Sequence, residues 1–190
     1  MKGFDLLIAG VGGQGTVLAS KLIAAAAMNS GFNVRTTETI GMAQRGGSVF
    51  GHVRIGENIF SPLIPKGGAH AMIAFEPAEA ARYLSYLSKQ GTLIVCDSAV
   101  MPITGVYDED RVMEYLKSNV EKLVVVRGQP IREHCAKTLN TALLGAAAQS
   151  GIFPFGPEAL LEVISGMPRF REENLKSFNI GRKMYDERQS

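Results

Sequence analysis

The sequence predicts an α/β fold: a three-layer sandwich around a mostly parallel, Rossmann-like sheet. Three observations carry this expectation. Apolar runs such as Leu6–Ala9 show no alternation, as strands buried on both faces of a parallel sheet do. Such runs alternate along the chain with helical patterns. The first run also passes through a glycine-rich turn straight into a helix, as a strand–turn–helix unit requires.

The elements follow in order. Leu6, Leu7, Ile8 and Ala9 form the first buried strand, and from about Thr16 a helix runs through Val17, Leu18, Ala19, Leu22, Ile23 and Ala24–Ala27. Lys21 is the only charge before Met28, so this helix packs on the sheet. "FNVRTTETI" reads as a second strand and "GMAQRGG" as a polar loop. "SVFGHVRIG" alternates, with Val49, Gly51, Val53 and Ile55 on one face and Phe50, His52 and Arg54 on the other. This suits a strand with one more exposed face, antiparallel or at an edge. Pro62 and Pro65 break the next stretch into a loop. "AHAMIAF" is a buried strand, and Pro77 opens a helix expected to run to about Lys89, with Gly91 ending it. "GTLIVCDS" is a further buried strand, "DEDRVMEYLKSN" an amphipathic helix with acids at its start, and "KLVVVRG" a strand. One helix is expected from about Ile131 to Gln149, with Ala136, Leu139, Leu143 and Ala147 as its core stripe. Asn140 lies beside that stripe and would need a partner if buried. Pro157 starts a short helix, and a polar terminal helix follows that Leu175 and Phe178 dock. Residues 1–190 are expected to form a single domain with a C-terminal helical extension from about 157.

The glycine turn is the candidate binding site. Gly10, Gly12 and Gly15 fit G-x-G-x-x-G, with Gly13 as an extra glycine and Gln14 and Thr16 as neutral donors. Bare backbone N–H groups and the positive end of the following helix favour an anion, a phosphate above all. A tight turn without a ligand is the alternative. No lysine follows the glycines as it does in a P-loop. A dinucleotide site also needs an acid near the end of the second strand, about 20 residues further on. Glu38 is so placed; an exposed strand-end carboxylate is the alternative. Arg45, before Gly46, Gly47 and Ser48, begins a loop nearby and would bring the missing charge, or else cap a turn with its guanidinium in water.

Composition excludes several classes. The chain has 20 basic and 18 acidic residues, which leaves no electrostatic footprint for nucleic acid. No run reaches the ~18 apolar residues of a membrane span. Met1-Lys2-Gly3 leads directly into the first strand without a signal-peptide layout, so the expected location is cytoplasmic. Cys96 and Cys135 are far apart in sequence, there is no C-x-x-C, and His52, His70 and His134 show no ligand spacing. The expectation is no cluster and no metal, since an iron–sulfur cluster takes four ligands.

"GVGGQGTVLASKLIAAAA", "TTETIGMAQRGGSVFGHVRIG", "NTALLGA" and "ENLKSFNIG", in this order over nearly the whole chain, resemble the gamma-type domain of the 2-oxoacid:ferredoxin oxidoreductases. "GMAQRGGSV" is similar to the indolepyruvate branch, in its beta subunit; pyruvate-type members more often carry a glycine-proline-glutamate version. Ile40 departs from the aryl-pyruvate pattern, where a His commonly precedes the Gly-Met. The resemblance implies one subunit of a cytoplasmic hetero-oligomer that oxidatively decarboxylates a 2-oxoacid to an acyl-CoA and reduces ferredoxin. It implies a larger partner subunit bearing thiamine diphosphate, magnesium and the iron–sulfur clusters. The chain lacks a G-D-G followed by paired asparagines, the magnesium–thiamine signature, which agrees with that division. Coenzyme A is the favoured phosphate ligand for the Gly10, Gly12, Gly13, Gln14, Gly15 and Thr16 loop, with Glu38 and Arg45 as further candidates. A freestanding NAD(P)-linked oxidoreductase and a non-catalytic regulatory domain are the rival readings.

Overall fold

The computed structural model describes residues 3–39, 47–98 and 107–189. A six-stranded sheet has the order β2-β3-β1-β4-β5-β6. Its strands are β1 (Phe4–Val11), β2 (Val34–Thr39), β3 (Ser48–Ile55), β4 (Ala69–Ala74), β5 (Leu87–Cys96) and β6 (Lys122–Val126). β1, β4, β5 and β6 pair in parallel, whereas β3 runs antiparallel to both β1 and β2. The sheet is therefore mostly parallel, as expected. The non-alternating apolar runs become its centre: Leu6, Leu7, Ile8 and Ala9 are all 0% exposed.

Helices cover both faces. α1 (Thr16–Asn29), α4 (Gly128–Cys135), α5 (Leu139–Gln149), α6 (Pro157–Ser165) and α7 (Arg171–Gln189) bury residues against Leu6, Ile8, Val53, Ile73 and Ile94. α2 (Pro77–Tyr83) and α3 (Glu109–Asn119) cover the opposite face, where Leu7, Ala9, Met72, Leu93 and Val95 meet Ala80 and Leu116. Asp108 starts α3 by accepting a hydrogen bond from Arg111 N–H (3.0 Å), and acids follow in the first turn. Leu160 and Ile164 of α6 and Phe178 of α7 belong to the same core as β1.

Three expectations are corrected. The helix from Pro77 stops at Tyr83, one 3-10 turn spans Leu84–Tyr86, and Lys89, Gln90 and Gly91 lie in β5. The pairing of β4 with β5 shifts between Ala69↔Leu87 and Ala71↔Thr92, so β5 carries extra residues in a bulge. Gly91 serves that bulge rather than a helix end: a Cβ there would stand 2.6 Å from Leu87 Cδ1 and 3.0 Å from Ser88 O. The single helix expected over 131–149 is two, α4 and α5, separated by a 3-10 turn at Ala136–Thr138. The hydroxyl of Thr138 donates to Cys135 O (2.8 Å) and that of Thr141 to Thr138 O (2.8 Å), while Cys135 itself is extended. Side-chain donors on these carbonyls compete with helical backbone bonds. α5 is then buried from Leu139 to Ala148 on all sides, not along a stripe. Finally, β3 is antiparallel, one of the two expected alternatives, and lies inside the sheet with β2 at the edge, so only the expectation of a more exposed face fails. His52 on its supposedly exposed face is 3% exposed.

α5 and α7 are in backbone contact. A Cβ on Gly145 would fall 2.0 Å from Phe178 O, and one on Gly181 would fall 1.8 Å from Ala142 O. Only glycine allows this approach. At the other end of the sheet, Arg54 spans Asp5 with Nε–Oδ1 at 2.7 Å and Nη2–Oδ2 at 3.2 Å. Its Nη1 donates to the carbonyls of Ser61 (3.0 Å) and Leu63 (3.1 Å), tying the β3–β4 loop down. Ile64 N–H donates to His52 Nδ1 (3.2 Å) in the same loop.

Two predictions follow from this packing. Gly145→Ala or Gly181→Ala should cost about 3 kcal/mol, because backbone faces backbone and no side chain can yield. Gly166→Ala, whose Cβ would find its nearest atom at 3.5 Å, should change stability by less than about 0.5 kcal/mol. Urea unfolding midpoints check both, and equal losses at Gly166 and Gly145 would refute the backbone contact. The second concerns acid. Burial, with the Arg54 guanidinium adding and Asp5 opposing, holds His52 below its ordinary 6.5. The unfolded chain thus takes up this proton at a higher pH than the folded one. The stability is full above 6.5 and is lost as pH falls toward the lower folded value. The fall in urea midpoint between about pH 7.5 and about pH 5 should be smaller in His52→Gln. An equal fall in both proteins would assign the acid sensitivity elsewhere.

Candidate functional site

β1 ends at Val11, and the chain turns through Gly12–Gly15 into α1. Gly13 (φ 98) and Gly15 (φ 84) occupy the left-handed region that side chains disfavour, so the turn needs glycine at both. Gly10 serves packing instead. A Cβ there would stand 2.7 Å from Gln14 Oε1, 2.9 Å from Thr16 Cγ2 and 3.2 Å from Phe75 Cβ. Gly12 N–H donates to Gly47 O (2.9 Å), and Gln14 N–H donates to Val11 O (3.2 Å). Gln14 divides its carboxamide between the turn and a cavity beside it. Its Oε1 accepts from Val11 N–H (2.8 Å), which locks the turn, and its Nε2 is buried without a partner. Thr16 is 5% exposed at the first position of α1.

The start of α1 is electrostatically open. Gly15 precedes it without a side-chain cap, and its first turn holds no acidic residue. Early N–H groups of a helix lack intrahelical acceptors, and the aligned peptide dipoles place positive potential there. Beside this end lies a cavity of about 390 Å³ lined by Gly13, Gln14, Gly15, Leu18, Arg132, Lys137, Leu139 and Asn140. Asn140, in the first turn of the mostly apolar α5, is 2% exposed. Its Oδ1 accepts from Thr141 N–H (2.9 Å). Its Nδ2 lies 2.7 Å from where a Gly15 Cβ would be, on the wall of the cavity. Gln14 Nε2, on the same cavity wall, is buried with no partner among the described residues; such a donor is costly, and an anion in the cavity would satisfy it.

Among the described residues the cations of this cavity are Arg132 and Lys137, both exposed and neither expected from the sequence. Arg132 lies in α4 and Lys137 within the 3-10 turn that breaks the predicted helix, so no local periodicity marks them. Asn140 did carry a signal, as a polar side chain in an apolar helix. Arg45 lies outside the described residues. Glu38 is on β2, paired with Gly51 of β3, which in turn pairs with Ile8 of β1. β3 therefore separates Glu38 from the glycine turn by two strand spacings, roughly 10 Å. The sequence rule for a ribose-binding acid assumes the second strand beside the first, and here it is not.

At the carboxyl ends of β1 and β4 the chain leaves toward opposite faces, by α1 and α2, which makes this the switch point of the sheet. The hydroxyl of Ser48 there donates to the Glu79 carboxylate and lies 2.8 Å from Tyr83 Oη, and Arg82 Nε donates to Glu79 (3.0 Å). Gly47 thus presents its carbonyl to Gly12 from a pinned strand end. Cys96, at the end of β5, is fully buried, and burial pushes its thiol upward, against thiolate chemistry. Cys135 is on α4, and among the described residues no group of three His, Cys, Asp or Glu is placed to hold a metal. Two cysteines on separate elements do not fit an iron–sulfur cluster. The arrangement offers an anion backbone donors, carboxamide donors and two cations.

No described helix is long and apolar enough to cross a membrane. The chain is similar to the indolepyruvate oxidoreductase subunit IorB of Archaeoglobus fulgidus, with 40% identity over 93% of this chain and 92% of that one. Among solved structures it is similar to the keto/oxoacid ferredoxin oxidoreductase gamma subunit of Geobacter sulfurreducens, with a TM-score of 0.71 and 22% identity over 97% of this chain and 99% of that chain. It is also similar to part of the 2-oxoglutarate:ferredoxin oxidoreductase of Magnetococcus marinus, solved with 2-oxoglutarate, coenzyme A and succinyl-CoA bound. There the TM-score is 0.74 and the identity 19%, over 98% of this chain and 32% of that one. At these identities the two structures attest the fold. The family described as pyruvate ferredoxin/flavodoxin oxidoreductase matches residues 5–184, and the chain belongs to it.

Proposed function

We propose that this chain is the small, non-autonomous subunit of a 2-oxoacid:ferredoxin oxidoreductase that acts on indolepyruvate and related aryl pyruvates. The observation that carries this is the 40% identity to an indolepyruvate oxidoreductase subunit over 93% of this chain and 92% of that one. The larger partner subunit holds thiamine diphosphate, magnesium and the clusters, which together supply decarboxylation and electron transfer to ferredoxin. The two cysteines of this chain, on different elements, support that division. The residues of this chain act by binding. The turn from Gly10 through Gly12, Gly13, Gln14 and Gly15 to Thr16 presents the start of α1 to the phosphates of coenzyme A. Arg132 and Lys137 supply the charge the turn lacks, and Asn140 Nδ2 adds a preorganised donor.

Purified alone, the chain should reduce no dye in the presence of 2-oxoacids and show no visible cluster absorption. Oxoacid-dependent reduction by the chain alone would overturn the division of labour. In the assembled complex, the double variant Arg132→Ala/Lys137→Ala should raise the KM for coenzyme A about tenfold, the worth of lost charge-assisted hydrogen bonds. Subunit affinity should stay intact. Weaker assembly with an unchanged KM would mean that a segment of the partner, not coenzyme A, occupies the cavity.

A further inference from the structure

Beside the cations of the cavity stands an aromatic ring that the anion site does not account for. Lys137 places its ammonium 5.1 Å from the centre of the Phe170 ring. Phe170 has φ 53, and among the described residues no other non-glycine has a positive φ. A bulky side chain is rarely found there. The surroundings hold it in place. Asn174 N–H (2.9 Å) and Asn174 Nδ2 (2.7 Å) both donate to Phe170 O, and Asn174 is 3% exposed. Asn174 Oδ1 in turn lies 3.1 Å from Thr141 Oγ1, on the helix that carries Asn140. A buried seam between α5 and α7 thus imposes a disfavoured backbone conformation on a phenylalanine that remains 47% exposed. Backbone outliers that their surroundings over-determine cluster at ligand sites.

The rest of the cavity says what kind of ligand would use such a ring. Two cations, the open start of α1, the Asn140 carboxamide, 2% exposed, and Gln14 Nε2, buried with no partner among the described residues, together call for phosphate. A half-exposed ring beside a cation suits a flat heterocycle, because stacking on an aromatic face tolerates any base. A ligand that offers both is a nucleotide. We infer that Phe170 is the platform on which the adenine of the ligand stacks, while its phosphates meet Lys137, Arg132 and the Gly13–Thr16 turn. Resting on the coenzyme A reading above, this assigns the nucleotide end of that cofactor to this chain and leaves the thiol end free to reach the partner subunit. Phe170 determines specificity here and takes no part in chemistry.

The test compares coenzyme A with pantetheine, which has the thiol but no nucleotide, as acyl acceptors in the assembled complex. Phe170→Gly removes the ring and suits a positive φ, so loss of folding does not confound it. It should raise the ratio of the KM for coenzyme A to that for pantetheine about tenfold, within the range of one lost base stack. Phe170→Tyr, which keeps a flat ring, should restore the ratio, and Phe170→Leu should not. Adenosine 3′,5′-bisphosphate should compete with coenzyme A, with a weaker inhibition constant in Phe170→Gly. An unchanged ratio in Phe170→Gly, with Arg132→Ala/Lys137→Ala still raising the KM for coenzyme A, overturns the platform and leaves the anion site standing. If the charge variant also leaves that KM unchanged, the coenzyme A reading falls with it. Restoration by Phe170→Leu as well as by Phe170→Tyr would show that bulk matters and stacking does not, which also overturns the inference.

Discussion

Backbone meets backbone where α5 crosses α7 at Gly145 and Gly181, and the candidate site depends on that crossing. With no side chains between them, the two helices have almost no freedom to slide or separate. α5 is thereby pressed into the core on all sides, and Asn140 at its first turn is fixed against the bare backbone of Gly15. α7 is fixed by the same contact, so Asn174 can reach across to Thr141 and hold the carbonyl of Phe170. This close approach of two backbones, made possible by a glycine on each helix, thus sets Asn140 in the cavity wall and Asn174 under Phe170, whose ring lies beside the cavity's Lys137. Interiors packed to crystal-like density transmit such constraints because they have few voids to absorb them.

The cavity also divides its tasks between parts of the chain. The turn after β1 contributes geometry and dipole but no charge, and its one long polar side chain, Gln14, holds Val11 through Oε1 and keeps Nε2 unpartnered among the described residues. Charge arrives from the α4–α5 junction, where threonine hydroxyls have broken what would otherwise be one helix. Had that helix continued, Lys137 and Arg132 would lie on an unbroken helical surface. The break therefore has a use as well as a cause. A site assembled this way binds and orients but lacks the paired acid and base that a self-sufficient enzyme needs. That is consistent with a subunit whose chemistry is completed elsewhere.

How much of this was legible in the sequence depends on how local each cause is. The strand–turn–helix at Leu6–Asn29 was readable because apolar runs, glycines and helical spacing all act within a few residues. The break at Ala136–Thr138 was not, since Thr138 Oγ1 also lies 2.7 Å from Ser177 Oγ, a residue far along the chain. Gly91 was misread because a glycine after a helical pattern resembles a helix end until the pairing with β4 is known. Glu38 satisfied a spacing rule whose premise, adjacent first and second strands, fails once β3 inserts between them. Asn140 could be flagged by its polarity among apolar neighbours, but its facing partner Gly15 is more than a hundred residues earlier in the chain. Phe170 gave no local signal, as its backbone angle is imposed by Asn174 from the following helix.

Phe178 shares one core with Leu6 and Ile8, so the first of the described strands is sealed by the last of the described helices. Loop closure over almost the whole chain has to precede that contact, and contacts of such long sequence separation slow folding. During translation, β1 and the apolar face of α1 have to wait beside the ribosome until the stretch around Gly181 emerges. In that interval the chain exposes the kind of unpaired, apolar strand that aggregates or recruits chaperones. Biogenesis of this subunit is therefore most sensitive to lesions in its last helix, including those that leave the ligand cavity untouched.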